Sequence, residues 1–188
     1  MGWHHGAHHA HGPHGTRYVS VIRGDYRVSA DHHDVFTTVL GSCLATCLHD
    51  PERHIGGMNH FNLPGVWART SCDEVNRYGV HLMELLINAL LQRGARRERL
   101  EAKLLGGATI VRGLSDIGRA NALFARQYLE NEGIRVVGAR LGGDRGMRIE
   151  YRPTTGGVRH LFLDKPPEAD APAVTPARFG PVGEVELF

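Results

Sequence analysis

Two segments of the chain carry apolar residues at helical spacing. Between Tyr78 and Gln92 the apolar residues recur at steps of three and four, and Gly94 follows as a stop signal. A second segment runs from about Asp116 to Asn131 and ends before Gly133. The pattern therefore predicts two main helices, whose apolar faces are Val80, Met83, Ile87, Leu90 and Leu91 in the first and Ile117, Ala120, Phe124 and Tyr128 in the second.

The rest of the apolar pattern indicates strands. The clearest is Met147–Arg152, where apolar and charged residues alternate as in a half-buried strand. Because runs of strands stay together and only two helices are predicted, we expect an α+β fold with the helices layered on sheet. The other predicted strands are Tyr18–Ile22, Tyr26–Ser29, Val35–Val39, Leu44–Leu48, Ile55–Asn62, Leu100–Leu105, Ile134–Leu141 and Gly157–Phe162.

Both ends of the chain differ in composition from this core. Six of the 13 histidines lie in the first 16 residues among Gly, Ala and Pro, so we expect residues 1–16 to be disordered. Adventitious Ni or Zn binding is one interpretation of this tail, and a neutral or added extension is the one that we favour. Five of the nine prolines follow Leu163. The predicted organisation is one domain over residues 17–163, followed by a Pro-rich tail over 164–188.

Composition excludes several classes of function. The 22 Lys and Arg against 20 Asp and Glu give a net charge of +2, too balanced for a dedicated nucleic-acid binder. No apolar run approaches the roughly 18 residues of a membrane span, and the N-terminus lacks a signal-peptide pattern. Three cysteines argue against a disulfide framework and favour a reduced, cytoplasmic setting.

The candidate chemistry lies around a cysteine and a histidine that are seventeen residues apart. Cys43 follows a Gly-Ser turn, and His60 ends a second predicted strand. Asp50-Pro51 is a favoured opening of a type I turn. Pairing Asp50 with Arg53 across that turn would place Cys43 directly opposite His60, within reach of a sulfur–imidazole hydrogen bond. Such a pair predicts a thiolate–imidazolium nucleophile for acyl transfer.

A third group must orient the imidazole, and the Thr37-Thr38 pair on the preceding strand is the nearest polar candidate. The competing interpretation is that Cys43 is an inert core residue, as Cys47 is expected to be. Cys72 is expected to be an incidental surface thiol. No CxxC-type pair exists, so we predict no metal site among these cysteines and histidines. Gly106-Gly107 and Gly142-Gly143 are typical of turns or close backbone approaches.

Together these residues resemble the CheD family, the chemoreceptor glutamine deamidases of bacterial chemotaxis. The resemblance covers about Val19 to Leu163, nearly the whole predicted core. The pieces that carry it are Thr37, Leu40-Gly41-Ser42-Cys43, Asp50-Pro51, Gly56-Gly57-Met58-Asn59-His60-Phe61 with Leu63-Pro64, Arg77-Tyr78-Gly79, Ala102-Lys103-Leu104-Leu105-Gly106-Gly107-Ala108, Ile117-Gly118-Arg119-Ala120-Asn121 and Leu141-Gly142-Gly143.

The resemblance implies a layered α/β/β fold and a cofactor-free cysteine hydrolase with Cys43, His60 and Thr37 as catalytic residues. Thr37 is chosen over Thr38 because it lies six residues before the cysteine, as in the family. Backbone N–H groups near Ser42 and Cys43 would hold the oxyanion, with Asn59 as a further candidate. The implied substrate is a glutamine side chain of a chemoreceptor. The same steps would also hydrolyse a glutamate methyl ester of the receptor, so methylesterase activity is a second implied reaction.

Two other classes of function stay open. One is a non-catalytic adaptor that binds chemoreceptors or a CheC-type phosphatase. The other is a related cysteine hydrolase, a transglutaminase or a protease.

Overall fold

The computed structural model describes residues 9–11, 15–63, 72–109 and 115–164, without the side chains of 9–11, 72–77, 115 and 116. Its two helices are α1 (Cys72–Gln92) and α2 (Ser115–Asn131), and a short 3-10 turn spans Arg97–Arg99. The strands are β1 (His9–His11), β2 (Arg17–Ser20), β3 (Asp25–Ser29), β4 (Asp34–Leu40), β5 (Leu44–Asp50), β6 (Ile55–Phe61), β7 (Glu101–Gly106), β8 (Arg135–Leu141), β9 (Met147–Arg152) and β10 (Gly157–Phe162).

The strands form two mixed sheets of five strands each. The outer sheet has the order β1-β2-β4-β9-β10, and the central sheet has the order β3-β6-β5-β7-β8. β2 runs parallel to β4 and β7 runs parallel to β8, whereas the other pairs are antiparallel. The parallel pair β7–β8 is joined through α2, because parallel neighbours need a crossover connection.

Each face of the central sheet has its own apolar layer. On one face, Leu44, Leu48 and Phe61 pack with α1 and α2 residues such as Leu86. On the other face, residues that include Met58 pack against the outer sheet. Successive strand residues point to opposite faces, so one strand supplies both layers. The predicted α+β class and the α/β/β layering are confirmed.

The predicted elements agree with the structure except near the N-terminus and at the start of α1. That helix begins at Cys72 rather than Tyr78. The prediction missed residues 72–77 because they lack the apolar spacing on which it was based. β1 lies within the segment that was expected to be disordered; its backbone pairs with β2, and such pairing does not require an apolar side chain. The Pro-rich tail from residue 165 and the side chain of Cys72 lie outside the described residues.

Candidate active site between the two sheets

The turn between β5 and β6 sets the register of the strands that carry Cys43 and His60. The Asp50 carboxylate accepts hydrogen bonds from the backbone N–H groups of Glu52 and Arg53, both at 3.1 Å, as predicted for an Asp-Pro turn. The loop is longer than expected, however, because His54 adopts a left-handed conformation with φ of 50°. Asp50 therefore pairs with Ile55 and not with Arg53.

This register corrects the predicted pairing. His60 lies opposite Ala45 rather than Cys43. A shift of two residues keeps every side chain on its predicted face, since strand side chains alternate. Cys43 immediately precedes β5 and packs with the layer between the sheets, the layer that His60 also faces. The two residues are diagonal neighbours in the register rather than directly opposed ones.

Asp50 also anchors this hairpin to the rest of the molecule. Its side chain is fully buried and accepts hydrogen bonds from Arg99 Nη2 at 2.8 Å and from the Arg96 N–H at 2.9 Å. Burial acts to raise the pKa of Asp50, but the bonds from Arg99 and from backbone N–H groups hold that pKa below its ordinary value. The carboxylate is therefore ionised at neutral pH and fixes the end of both strands.

The turn that carries Cys43 is held by its carbonyl oxygens. The Gly41 carbonyl accepts from the Ala108 N–H, and the Cys43 carbonyl accepts from the Gly107 N–H, both at 2.8 Å. Gly106 lies at φ of +112°, and a Cβ there would stand 2.2 Å from the Cys43 carbonyl oxygen, so only glycine fits. The prediction that Gly106-Gly107 makes a close backbone approach is confirmed.

Asn121 on α2 completes this support, and the sequence analysis assigned it no role. Its side chain is fully buried; Nδ2 donates to the Ser42 carbonyl at 2.8 Å, and Oδ1 accepts from the Leu63 N–H at 2.7 Å. The three hydrogen bonds from Ala108, Gly107 and Asn121 to this turn are all accepted by its carbonyl groups. None of these three bonds involves the N–H group of Ser42 or of Cys43. An asparagine within an otherwise apolar helix face was the available signal for such a residue.

His60 is held in one orientation between the sheets. The ring is 6% exposed, and its Nδ1 lies 2.9 Å from Thr38 Oγ1 and 3.2 Å from the Val21 carbonyl oxygen. A carbonyl only accepts, so Nδ1 carries the hydrogen in the neutral ring. Nε2 is buried and has no hydrogen-bond partner among the described residues. Its lone pair is thus available to accept a proton.

The structure corrects two sequence-based assignments. Thr38 Oγ1, and not Thr37, accepts a hydrogen bond from His60 Nδ1–H, because Thr38 is on the face of β4 that points to the central sheet. Asn59 is on the opposite face of β6 from His60. Its Oδ1 accepts from the Thr46 N–H at 3.0 Å, and its Nδ2 lies near the Met83 sulfur at 3.3 Å. Asn59 is a core residue on the helix side and cannot serve as an oxyanion donor.

The electrostatics also differ from the predicted ion pair. Burial raises the pKa of the Cys43 thiol, although the charge of Arg23 opposes this. Burial lowers the pKa of His60; the Val21 carbonyl acts against that shift, and Arg23 lowers the pKa further. Both shifts favour a neutral thiol and a neutral imidazole, in contrast to the predicted thiolate–imidazolium pair. Cys47 is fully buried, which raises its pKa and makes it inert.

A cavity of about 700 Å³ reaches His60 from the exposed face of the outer sheet. Its walls include Thr37, Val39, Arg23 and Arg148. Neither arginine makes an ion pair with any residue that the structure describes. Val39 is 49% exposed and adds apolar surface. The cavity thus combines apolar wall with the two arginines and with the carboxylate of Glu150, which lies 3.9 Å from Arg159.

Comparison with known proteins identifies the family to which the chain belongs. The sequence model described as CheD chemotactic sensory transduction matches residues 63–160, more than half of the chain. The chain belongs to the CheD family. The matched range begins after Cys43 and His60, so the roles of these two residues rest on their geometry. No helix in the described part of the chain is long and apolar enough to cross a membrane.

Curated members of the CheD family align with almost the whole chain. A protein of Rhizobium meliloti (strain 1021) is 48% identical over 87% of this chain and 96% of its own length. A protein of Caulobacter sp. (strain K31) is 47% identical over 90% of this chain and 92% of its own. Both are named "Probable chemoreceptor glutamine deamidase CheD". Among solved structures, Bacillus licheniformis hypothetical protein YfiH overlaps 64% of this chain and 50% of its own at a TM-score of 0.43 and 12% identity.

Proposed function

We propose that this protein is a protein-glutamine deamidase that converts glutamine side chains of chemoreceptors to glutamate and releases ammonia. Its named relatives support the reaction and the substrate class. The observation that carries the site assignment is His60, whose Nδ1 is held by Thr38 and Val21 while Nε2 stays without a partner. Cys43 lies on the same side of the central sheet, on a turn fixed by carbonyl bonds.

The reaction begins from the neutral pair. His60 Nε2 takes the thiol proton as the Cys43 sulfur forms a bond to the side-chain amide carbon of the substrate. The carbonyl oxygen of that amide becomes an oxyanion, and the N–H groups of Ser42 and Cys43 are the donors proposed to hold it. One such donor is typically worth about 2.7–4 kcal/mol of transition-state stabilisation.

His60 then transfers two protons in turn. Its imidazolium gives the former thiol proton to the departing nitrogen, so ammonia leaves and a thioester to Cys43 remains. Neutral His60 next takes a proton from water, whose oxygen attacks the thioester carbon. The C–S bond breaks, His60 gives this water-derived proton to the sulfur, and the product is a glutamate side chain.

The cavity supports a substrate segment with acidic neighbours. Arg23 is exposed at the cavity wall close enough to act on the pKa of both Cys43 and His60, and Arg148 lies on the same wall. These unpaired guanidinium groups favour carboxylates next to the target glutamine. The exposed Ile22 and Val39 suit apolar residues of the same segment. We propose that this segment belongs to the cytoplasmic helical part of the receptor.

The test is intact-mass analysis of a purified chemoreceptor fragment after incubation with the protein, together with measurement of released ammonia. Wild type is expected to add the mass difference between an amide and a carboxyl group at each modified glutamine. Cys43→Ala and His60→Ala should abolish this change. Cys47→Ala is the matched control, because Cys47 is a buried thiol in β5 with no proposed role, and it should retain activity.

Three outcomes would contradict the proposal. Full activity of Cys43→Ala would remove the nucleophile. Absence of any mass change with wild type, combined with binding of the receptor fragment or of a CheC-type phosphatase, would favour the non-catalytic adaptor. Cleavage or crosslinking of the fragment would instead indicate a protease or a transglutaminase.

A further inference from the structure

A cluster of possible metal ligands lies in the turn that precedes β4. Asp31, His32 and His33 each offer one ligand atom, and these atoms all lie within 4.8 Å of one another. The His32 side chain is 79% exposed and that of Asp31 is 40% exposed. Ligand atoms about 2.0–2.2 Å from a tetrahedral Zn²⁺ ion lie about 3.3–3.6 Å apart. Binding would therefore require the exposed rings to rotate so that the three ligand atoms come closer together.

The charges around this turn are compatible with a bound cation. Arg17 contacts both Asp31, at 3.0 Å, and the buried Asp34, at 2.6 Å. One guanidinium thus faces two carboxylates, and one net negative charge remains while both imidazoles are neutral. The Asp31 carboxylate also accepts a hydrogen bond from the His33 N–H at 2.9 Å, which fixes the turn. Other lone pairs of the carboxylate oxygens remain for a metal ion.

The start of β2 lies beside the cluster. The Arg17 N–H donates to the His33 carbonyl at 2.8 Å. A Cβ on Gly15 would lie 3.5 Å from His33 Nδ1, so the backbone at Gly15 runs beside that ring. The turn that carries the cluster is thus fixed to the residues that lead into β2.

We propose that Asp31, His32 and His33 form a surface site for a divalent first-row transition metal such as Zn²⁺ or Ni²⁺. Imidazole nitrogens with one carboxylate oxygen are a ligand set that these ions prefer. The site is separate from Cys43 and His60 and supplies nothing to the deamidation steps. A bound ion would fix the conformation of the turn before β4.

The experiment is calorimetric titration of ZnCl₂ into the full chain. The double variant His32→Ala with His33→Ala should bind with about tenfold or weaker affinity, a loss of at least about 1.4 kcal/mol. His81→Ala is the matched control, because His81 is an exposed histidine of α1, and it should bind as wild type does. Circular dichroism checks that the double variant is folded.

A shortened chain separates this site from binding by the tail alone. Removal of residues 1–8 deletes His4, His5 and His8 but keeps β1, and it should leave the high-affinity Zn²⁺ site in place. Loss of binding in the shortened chain, with unchanged binding in the double variant, would overturn the proposal. Absence of Zn²⁺ binding by wild type would overturn it as well.

Discussion

Replacing Thr38 by valine tests what orients the imidazole of His60, the proposed general base. Valine keeps the shape of threonine and removes the hydroxyl that lies 2.9 Å from His60 Nδ1. A neutral hydrogen bond contributes about 0.5–1.5 kcal/mol, which corresponds to a rate loss of about two- to twelve-fold. The Val21 carbonyl, at 3.2 Å from the same nitrogen, still holds the ring, so the loss should not be complete.

The assay is the rate of ammonia release from a receptor fragment, analysed as kcat and KM. We expect Thr38→Val to lower kcat, because the ring is less well placed to accept the thiol proton. The neighbouring Thr37→Val is the matched control, since Thr37 lines the cavity on the other face of β4 and should change KM alone. If Thr37→Val lowered kcat and Thr38→Val did not, the assignment of the orienting hydroxyl would be refuted.

Three further predictions concern the pH profile, the nucleophile turn and the strand anchor. Activity should fall as pH drops through the lowered pKa of His60, because the protonated ring cannot accept the thiol proton. Arg23→Gln should move this acid limb of the kcat/KM profile to higher pH, because the charge of Arg23 lowers the pKa of His60. Gly106→Ala should destabilise the protein by at least about 1–3 kcal/mol in urea unfolding, since its backbone has positive φ and its Cβ would collide with the nucleophile's carbonyl. Asp50→Ala should cost about 1–3 kcal/mol in the same measurement, because it removes a buried carboxylate and leaves the Arg96 N–H without its acceptor.

Each of these three has an outcome that would contradict it. An unchanged acid limb in Arg23→Gln would show that its charge does not act on His60. Gly142→Ala is the control for Gly106→Ala, because Gly142 also has positive φ but open space around its Cβ; equal losses would exclude the proposed collision. Stability of Asp50→Ala that matched wild type from pH 5 to 8 would mean that the anchor is dispensable.

The layers of the fold were predictable because they follow from local periodicity. The alternation in β9 was visible in the sequence and was found. Of the predicted apolar face of α2, Phe124 and Tyr128 pack against the core, but Ala120 is exposed, and the buried residues Ala125 and Leu129 were not in the prediction. The β5–β6 register was wrong by two residues, because the left-handed conformation of His54 lengthens the turn without a glycine to announce it. The face of the sheet to which His60 points was still predicted correctly, because a register shift of two residues preserves the alternation of side chains.

The finer features of the site depend on contacts between distant residues. Thr37 and Thr38 have the same side chain, and only the packing of two sheets decides which one meets His60. Asn121 bonds to Ser42 across 79 positions of the chain, and no local pattern encodes that distance. The directions of the pKa shifts likewise follow from burial, so the raised pKa of Cys43 could not be inferred from its spacing to a histidine.

The raised pKa of the Cys43 thiol has a consequence under oxidative stress. Peroxide attacks the thiolate, and susceptibility to sulfenic acid formation follows thiolate character and exposure. Because burial disfavours ionisation of Cys43, we expect the protein without substrate to present little thiolate to oxidants. Its activity should therefore be lost to peroxide more slowly than that of a protein with a permanently ionised cysteine.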